Sequence, residues 1–307
     1  MTPSQDQVWR AIGISLIALV CFDIMGLVIK HLSPRYAASE LSAYRNLLGL
    51  IPSALVLALS REWHAGGRKL LIRQWPLALL RGAMVTLAQL SFYLALGKIA
   101  FATATTISYS NALFITAISV PLLGEKVGWI RWSAVLIGFA GVVLIVNPGS
   151  DTFTVEALLP LAAAFLYALV ATTARLIDRD VPSPLVNVYS QSSAAVFAVL
   201  ITLSTSGFSP VASTADAAWI FTMGIAGGIA VLCLITAFRM TEPTNLAPFT
   251  YFGIPLAFLL GWLVFGEAPW ADLFPGAFLI AAGGLMIVWR ERRLKRREEE
   301  LSRGRPV

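Results

Sequence analysis

Residues 122–125 read Leu-Leu-Gly-Glu and residues 264–267 read Val-Phe-Gly-Glu, so a glycine–glutamate corner recurs after a step of 142 residues. The same Ala-Gly pair follows fifteen residues after each glutamate, as Ala140-Gly141 and as Ala282-Gly283. Single matches of alanine and glycine carry little weight in this composition, but two matched pairs at one fixed spacing do. They indicate that the chain consists of two related halves.

The composition places most of the chain in lipid. Of its 307 residues, 57% are hydrophobic and 13% are charged. Soluble domains carry about 25% charged residues, so this chain has too few to cover a soluble particle of its size. The apolar residues form runs of roughly 20, the length that a helix needs to cross a bilayer. Because a spanning helix satisfies its own backbone groups, we predict an all-α integral membrane protein.

Reading the apolar runs between polar breaks gives ten transmembrane helices. The predicted spans are Ile12–Leu32, Glu40–Leu59, Pro76–Leu96, Ala102–Leu123, Trp129–Val146, Val155–Leu176, Pro184–Thr205, Ala217–Phe238, Asn245–Phe265 and Ala271–Trp289. Five spans precede Asn147 and five follow it. Two related units with an odd number of spans cross the membrane in opposite directions, which is the inverted-repeat organisation of many secondary transporters. We therefore predict one repeat over residues 1–147, an inverted repeat over 148–290 and a basic, disordered tail over 291–307.

The basic residues orient the helices in the membrane. With both termini on one side, that side holds 18 of the lysines and arginines, whereas the other side holds Lys30, Arg35 and Lys98. The positive-inside rule then predicts that both termini are cytoplasmic. The tail that begins at Arg290 carries eight of these charges, and we expect it to contact anionic lipid. No folded module accompanies the charge, so we expect no nucleic-acid partner.

The glycine–glutamate corners also carry a family resemblance. The chain resembles members of the drug/metabolite transporter superfamily in their ten-helix form, which consists of two EamA-type repeats. The residues that carry the resemblance are Gly124-Glu125 and Gly266-Glu267, together with the two Ala-Gly pairs. The resemblance implies a multi-pass carrier in a bacterial cytoplasmic (inner) membrane. The pattern is most similar to exporters of aromatic and other amino acids, which implies a small-molecule substrate moved outwards.

Asp23 is the most unusual residue for its position, because it lies near the middle of the first span. A carboxylate there costs roughly 2.5–3.5 kcal/mol on insertion scales, so it must face protein or water. Arg45 enters from the opposite membrane face and lies within about 6 Å of the level of Asp23, and Arg81 lies within about 9 Å. Three interpretations remain open: a structural ion pair with one of these arginines, a docking point for a substrate amine, and a proton site.

Other polar residues near the middle of the spans form a candidate cavity. Besides Asp23, they are Gln89, Tyr93, Ser108, Tyr109, Asn111, Tyr167, Gln191, Thr250 and Tyr251. Tyr109 and Tyr251 are separated by the 142-residue step, so we expect them to face each other across the axis that relates the two repeats. Each residue taken alone is more often a helix–helix hydrogen bond than a ligand contact. Their common depth makes the set a better candidate than any one member.

Prolines and glycines mark the ninth span as a candidate moving part. Pro248, Gly253 and Pro255 fall within it, and each proline removes a backbone donor and favours a kink. Kinks of this kind are tolerated where the backbone lines protein or a cavity. We interpret Glu125 and Glu267 as corner residues that cap structure rather than as coupling acids.

Taken together, these features predict a secondary transporter that exports small metabolites, amino acids among them, by alternating access. The chain contains no Walker loop and no HExxH motif, so we expect no ATP site, no metal and no cofactor. The main alternative is a non-coupled uniporter or a channel for small polar solutes. A membrane enzyme or receptor is the third possibility, and the lack of a recognisable catalytic pair counts against an enzyme.

Overall fold

The computed structural model of the chain describes residues 5–124, 128–148, 154–178, 180–241 and 243–302. These residues form helices and turns and contain no strand. The helices are α1 Gln5–Leu32, α2 Ala38–Ala58, α3 Arg61–Ala65, α4 Trp75–Leu96, α5 Phe101–Ser108, α6 Asn111–Leu123, α7 Trp129–Val146, α8 Leu158–Thr173, α9 Ser183–Ser204, α10 Thr214–Met240, α11 Pro243–Thr250, α12 Gly253–Phe265, α13 Trp270–Leu273 and α14 Gly276–Ser302. Short 3-10 turns flank α8.

The membrane spans follow the predicted pattern. Within the described residues, nine helical segments are long and apolar enough to cross a membrane. The fifth and sixth of them, Trp129–Val146 and Val155–Leu176, coincide with the prediction to the residue. The tenth span is the first part of α14, which then continues into the charged tail. The predicted fold class, an all-α membrane protein with ten spans in two repeats, is confirmed.

Two of the spans are broken near their middle. The fourth span was predicted as one helix but consists of α5 and α6, with Tyr109 and Ser110 between them. The ninth span consists of α11 and α12, with Tyr251 and Phe252 between them. The two breaks are separated by the same 142-residue step as the glycine–glutamate corners. The halves therefore share an internal irregularity as well as a helix order.

The neighbours of each helix reflect a twofold relation between the halves. The first span, α1, packs on the eighth, α10, and the third span, α4, packs on the sixth, α8. The second span packs on the seventh, and the fifth packs on the tenth. Exchanging each span for the one five places along leaves this set of neighbours unchanged. Antiparallel halves related by a twofold axis in the membrane plane produce such a pattern.

Glycines bring the fifth and tenth spans into close contact. A β-carbon added at Gly141 of α7 would lie 2.5 Å from the Gly276 carbonyl oxygen of α14. One added at Gly283 would lie 2.6 Å from the Ala134 carbonyl oxygen of α7. Small residues at such an interface allow helix backbones to approach in lipid. The repeated Ala-Gly pairs therefore have a packing role, because Gly141 and Gly283 lie in the same α7–α14 contact.

The tail prediction was wrong over residues 291–302. These residues continue α14 as far as Ser302, whereas residues 303–307 lie outside the described part of the chain. The segment is rich in arginine, lysine, glutamate and leucine, which are strong helix formers. It also extends a helix that already exists, so no new helix has to be nucleated. Charge alone was therefore a poor indicator of disorder here.

The bundle has two faces, which we name by the helix ends that lie at each. The terminal face is the one at which α1 begins and α14 leaves the bundle. Because the spans alternate in direction, α2, α6, α8 and α10 also end at this face. The far face is the opposite one, at which α1, α4, α7, α9 and α12 end.

Candidate functional site

A cavity of about 720 Å³ enters the bundle from the terminal face. It lies between α4, the end of α6, α8 and the start of α9. Its polar and charged lining residues are Arg81, Arg175, Asp178, Ser183, Asn187, Ser190 and Gln191. Gln191 lies two turns into α9, so the cavity reaches from the loop between α8 and α9 towards the middle of the membrane.

A cluster of three amide side chains and one serine hydroxyl lies behind the inner end of the cavity. We call it the amide cluster, and its members are Ser42, Asn46, Gln89 and Gln191. The Asn46 Nδ2 group donates to Gln89 Oε1 at 2.8 Å, and Gln89 Nε2 donates back to Asn46 Oδ1 at 3.1 Å. Gln191 Nε2 donates to the Asn46 carbonyl at 2.9 Å and to its Oδ1 at 3.2 Å. Ser42 donates to Gln89 at 2.7 Å. The cluster links α2, α4 and α9 and so connects the two halves.

Arg45 projects from the edge of the amide cluster. Its Nη1 donates to Asn46 Oδ1 at 2.9 Å and to Gln191 Oε1 at 3.4 Å. Arg45 also interacts electrostatically with Tyr93 and Tyr167. The Arg45 side chain is half-buried. Its guanidinium has further N–H groups that can donate hydrogen bonds to an anion.

The predicted ion pair of Asp23 with Arg45 or Arg81 is not formed. Arg45 is turned to the amide cluster, and Arg81 Nε donates to the Val170 carbonyl of α8 at 3.2 Å. Among the described residues the ion pairs are Lys30–Glu267 and Arg35–Asp216. The prediction considered only the depth of the residues, whereas the rotation of each helix about its axis decides which side chains meet.

Asp23 is buried and forms no ion pair with any residue that the structure describes. The residue is only 6% exposed, and its Oδ2 atom has no hydrogen-bond partner in the described part of the chain. Asp23 interacts electrostatically with Tyr109. An ionised carboxylate without a partner is among the most costly groups to bury. Such a group inside a membrane protein is a functional-site candidate.

Tyr109 and Tyr251 meet at the centre of the bundle, with ring centroids 6.0 Å apart and planes inclined by 44°. Each occupies the break in its own span. The Tyr109 hydroxyl lies against Gly253, the first residue of α12, and the Tyr251 hydroxyl lies against Gly284 of α14. The two spans therefore contact each other through the residues at which they are interrupted.

The backbone explains the break in the ninth span better than the break in the fourth. Pro255 has no N–H to donate to the Tyr251 carbonyl, which instead accepts from the Ile254 N–H at 3.1 Å. In the fourth span, Tyr109 and Ser110 donate to carbonyls three residues back, although no proline lies there. At this tighter turn, the Tyr109 side chain packs against Gly253 of α12.

Several buried hydroxyl groups surround this region without a hydrogen-bond partner in the described residues. They belong to Tyr93, Thr105, Thr106, Ser110 and Tyr251. A β-carbon at Gly26 of α1 would lie 2.9 Å from the Phe101 ring of α5. The helices α1 and α5 run in opposite directions. Asp23 lies three residues before Gly26 in α1, and Thr105 lies four residues after Phe101 in α5, so Asp23 and Thr105 are at about the same depth. The carboxylate therefore lies at the level of a set of unpaired oxygen atoms.

The structure distributes the predicted cavity residues over several environments. Gln191 lines the open cavity, Gln89 belongs to the amide cluster, and Asp23, Tyr109 and Tyr251 form the central group. Ser108 donates to the Ala104 carbonyl of its own helix, Asn111 and Tyr167 are half-buried, and Thr250 is exposed. Tyr93 is fully buried.

Sequence analysis missed Ser42 and Asn46, the residues that hold the amide cluster together. Both are fully buried on α2. Their spacing of four residues places them on one face of a helix, and Gln89 of α4 lies at a similar depth. That spacing was the available signal, since a polar pair on one face of an apolar helix indicates a contact with another helix.

Two ion pairs join the two halves at the far face. Lys30 lies 2.9 Å from Glu267, and Arg35 lies 3.0 Å from Asp216. Glu267 also accepts the Phe101 N–H at the start of α5, which agrees with its interpretation as a corner residue. Glu125, the other corner residue, lies outside the described residues.

We expect Gly253→Ala to lower stability because the new methyl group would collide with the Tyr109 hydroxyl. Overpacking of this kind costs about 1–3 kcal/mol. Adding Tyr109→Phe removes the colliding hydroxyl and should restore part of the loss. The measurement is the midpoint of thermal unfolding. Gly13→Ala in α1 is the control, since nothing lies within 4 Å of that position. Equal midpoints for Gly253→Ala and Gly13→Ala would contradict the expected contact.

The chain is similar in sequence to proteins that are named as membrane transporters. The family model described as "EamA-like transporter family" matches residues 9–147 and again residues 154–289. The chain is 27% identical to the S-adenosylmethionine uptake transporter of Rickettsia felis, over 94% of this chain and 96% of that protein. It is 32% identical to the riboflavin transporter of Vibrio cholerae, over 63% of this chain and 64% of that protein.

Two further similarities bear on direction and fold. The chain is 25% identical to the pseudopaline exporter CntI of Pseudomonas aeruginosa, over 92% of this chain and 95% of that protein. A solved crystal structure matches with a TM-score of 0.63 at 21% identity, over 93% of this chain and 98% of that one. At that identity the structural match supports the fold alone. One of these three relatives is named for uptake and another is named as an exporter.

Proposed function

The chain belongs to the EamA-like transporter family, and on this premise we propose that it carries a small metabolite with an amino-acid group across the membrane by alternating access. One observation carries the proposal: the cavity opens to the terminal face and ends at Gln191 of the amide cluster, whereas ion pairs join the two halves at the far face. A site near the midplane that is open to one side is what alternating access requires.

The charges at the centre suit a substrate with both an amine and a carboxylate. Asp23 offers a carboxylate oxygen that no described residue satisfies, and it suits an ammonium group. Arg45 offers a guanidinium, which suits a carboxylate. Tyr109 and Tyr251 add aromatic surface beside Asp23. This proposed assignment supports the expectation of aromatic and other amino acids as substrates. S-adenosylmethionine, named for several relatives, also carries an amino-acid group.

Orientation and direction are part of the proposal. We place both termini in the cytoplasm of a bacterium and the spans in its inner membrane, on the strength of the 18-to-3 distribution of basic residues. The cavity at the terminal face then opens to the cytoplasm, which is where an exporter loads its substrate. The basic segment from Arg290 is proposed to contact anionic lipid.

Counterflow in proteoliposomes tests the function. Vesicles loaded with an unlabelled amino acid should accumulate the labelled form transiently, with saturation, because a carrier exchanges its substrate. A panel of aromatic amino acids, other amino acids, S-adenosylmethionine and riboflavin tests the substrate class, and vesicles of both orientations test the direction. Transport of riboflavin alone would reject the amino-acid proposal, since riboflavin has neither the amine nor the carboxylate. Linear, non-saturating flux would favour the channel.

A further inference from the structure

The first of two charged contacts on the far face is centred on Glu267. Lys30 Nζ at the end of α1 lies 2.9 Å from Glu267 Oε1 and donates to the Ile99 carbonyl at 2.6 Å. The other carboxylate oxygen of Glu267 accepts the Phe101 N–H at 2.9 Å. Glu267 follows α12 in the second half, whereas the other three residues belong to the first half. One carboxylate therefore holds the end of the ninth span against the first and fourth spans.

The second charged contact is centred on Asp216, in the first turn of α10. Arg35 Nη2 lies 3.0 Å from Asp216 Oδ1, and the Tyr36 hydroxyl donates to Asp216 Oδ2 at 3.0 Å. The Tyr36 oxygen in turn accepts the Ala212 N–H at 2.9 Å. Asp216 lies at the amino end of α10, where the helix dipole favours a carboxylate. This contact also joins the halves, because Arg35 and Tyr36 connect α1 to α2.

A third polar contact also joins the two halves at the far face. Glu40, in the first turn of α2, accepts the Ala37 N–H at 2.9 Å and so caps its own helix. The same carboxylate accepts the backbone N–H of Ser209 and, at 3.3 Å, its hydroxyl. Ser209 lies in the connection between α9 and α10. The start of the second span is therefore tied to the second half as well.

An apolar layer lies on the inner side of these contacts. Ile29 and Phe101 from the first half pack with Ile220, Met223 and Ala257 from the second half, and all five are buried. A layer of this kind excludes water from the route between the far face and the centre. Asp23 lies about one to two helical turns deeper than Ile29 along α1.

The two ion pairs are partly exposed to water, so little free energy is needed to separate them. The Lys30 and Glu267 side chains are 12% and 28% exposed, and the Arg35 side chain is 45% exposed. Water therefore reaches the Lys30, Glu267 and Arg35 side chains. The Asp216 side chain is only 4% exposed, and the Tyr36 hydroxyl still donates to it when Arg35 separates. Pairs in such surroundings contribute little net free energy, unlike buried pairs, whose separation is costly.

We infer that these two ion pairs, Lys30–Glu267 and Arg35–Asp216, form the far-face gate of the transport cycle. The gate holds the far face shut while the cavity is open to the terminal face, and it separates when the halves rock. The inference rests on the proposed function. It gives each of the four charged residues a positioning role, because none of them lies in the cavity or in the central group.

Cysteine labelling tests the gate without any knowledge of the substrate. The reporter is Ala257→Cys, in the apolar layer, on a background in which Cys21 and Cys233 are alanine. A membrane-impermeant maleimide is applied to the far face of oriented vesicles. Lys30→Met should raise the labelling rate about three- to tenfold, as expected when an ion pair of this strength no longer favours the closed state. Lys30→Arg, which keeps the pair, should stay within about twofold of the parent.

Matched variants separate the gate from a general change in charge or stability. Lys98→Met removes an exposed positive charge from the same face and should leave labelling unchanged. The exchange Lys30→Glu with Glu267→Lys restores opposite charges and should reverse at least half of the increase. Where Lys30→Met fails to fold, Arg35→Met provides the same test at the second pair. Thermal unfolding identifies the folded variants.

The outcomes distinguish the gate from the proposed function. Labelling of Lys30→Met and Arg35→Met at the parent rate, in a protein that shows counterflow, would overturn the gate and leave the carrier intact. Gate-dependent labelling in a protein that exchanges no amino acid would support the gate and reject the substrate class. Equal increases for Lys98→Met and Lys30→Met would also overturn the gate, because the effect would then be one of surface charge.

Discussion

Asp23→Asn is expected to lower counterflow about ten- to a hundredfold, which corresponds to the loss of a charged hydrogen bond of about 1.5–3 kcal/mol. The reason is that the Asp23 Oδ2 atom, which lies at the depth of the two helix breaks, has no hydrogen-bond partner among the described residues. Asparagine has nearly the same shape, so the backbone of α1 and its packing should persist. The loss should therefore appear in transport and not in folding.

The thermal midpoint of Asp23→Asn distinguishes a binding role from a structural one. Removing a buried charge without a partner relieves a desolvation cost, so the midpoint should be equal to that of the parent or higher. Asp6→Asn is the matched control, because Asp6 is an exposed acid on the same helix and its removal should change neither quantity. Asp23→Glu keeps the charge and should retain part of the transport. Full transport by Asp23→Asn would show that Asp23 is not part of the site.

A second readout separates the two functional interpretations of Asp23. If the carboxylate binds a substrate amine, Asp23→Asn should raise the concentration for half-maximal counterflow of amino acids. If it is a proton site, exchange of substrate should survive and accumulation driven by a pH gradient should be lost. The first outcome is the expected one, since Tyr109 and Arg45 provide complementary groups near the same level.

The spans could be predicted because hydropathy and length are local properties of the chain. The fifth span, Trp129–Val146, agrees to the residue for this reason. The break in the ninth span could also be anticipated, since Pro255 removes a backbone donor that the helix needs. The break at Tyr109 could not, because no proline marks it and its partner, Gly253, is 144 residues away. Contacts between distant segments are absent from a local pattern.

The site was less predictable than the fold, because depth in the membrane does not determine which side chains meet. Arg45 and Asp23 lie at similar depths, yet Arg45 is turned to Asn46 and Gln191. The facing tyrosines were anticipated because a symmetry axis constrains rotation as well as depth. Where the repeat supplies no partner, as for Asn46, the packing of α2 against α4 and α9 decides the contact, and the sequence does not specify that packing.

The amide cluster carries the second large prediction. Asn46→Leu is expected to lower the free energy of unfolding by about 2–4 kcal/mol, because the buried Gln89 side chain loses its Asn46 partner and Gln191 loses one of its hydrogen bonds. Asn187→Leu on α9 is the control. It removes one hydrogen bond, from Asn187 to Ser53 at 3.1 Å, on the wall of the cavity, and it should cost less than about 1 kcal/mol.

A double substitution shows what the amide cluster does beyond stability. Asn46→Leu with Gln89→Leu replaces both partners by apolar groups, which should recover at least part of the lost stability. Counterflow should remain low in the double variant, because Arg45 and Gln191 still lack the Asn46 oxygen that orients them. Recovery of stability and counterflow together would mean that the cluster only holds helices together. Recovery of stability alone would mean that it also positions Arg45 at the inner end of the cavity.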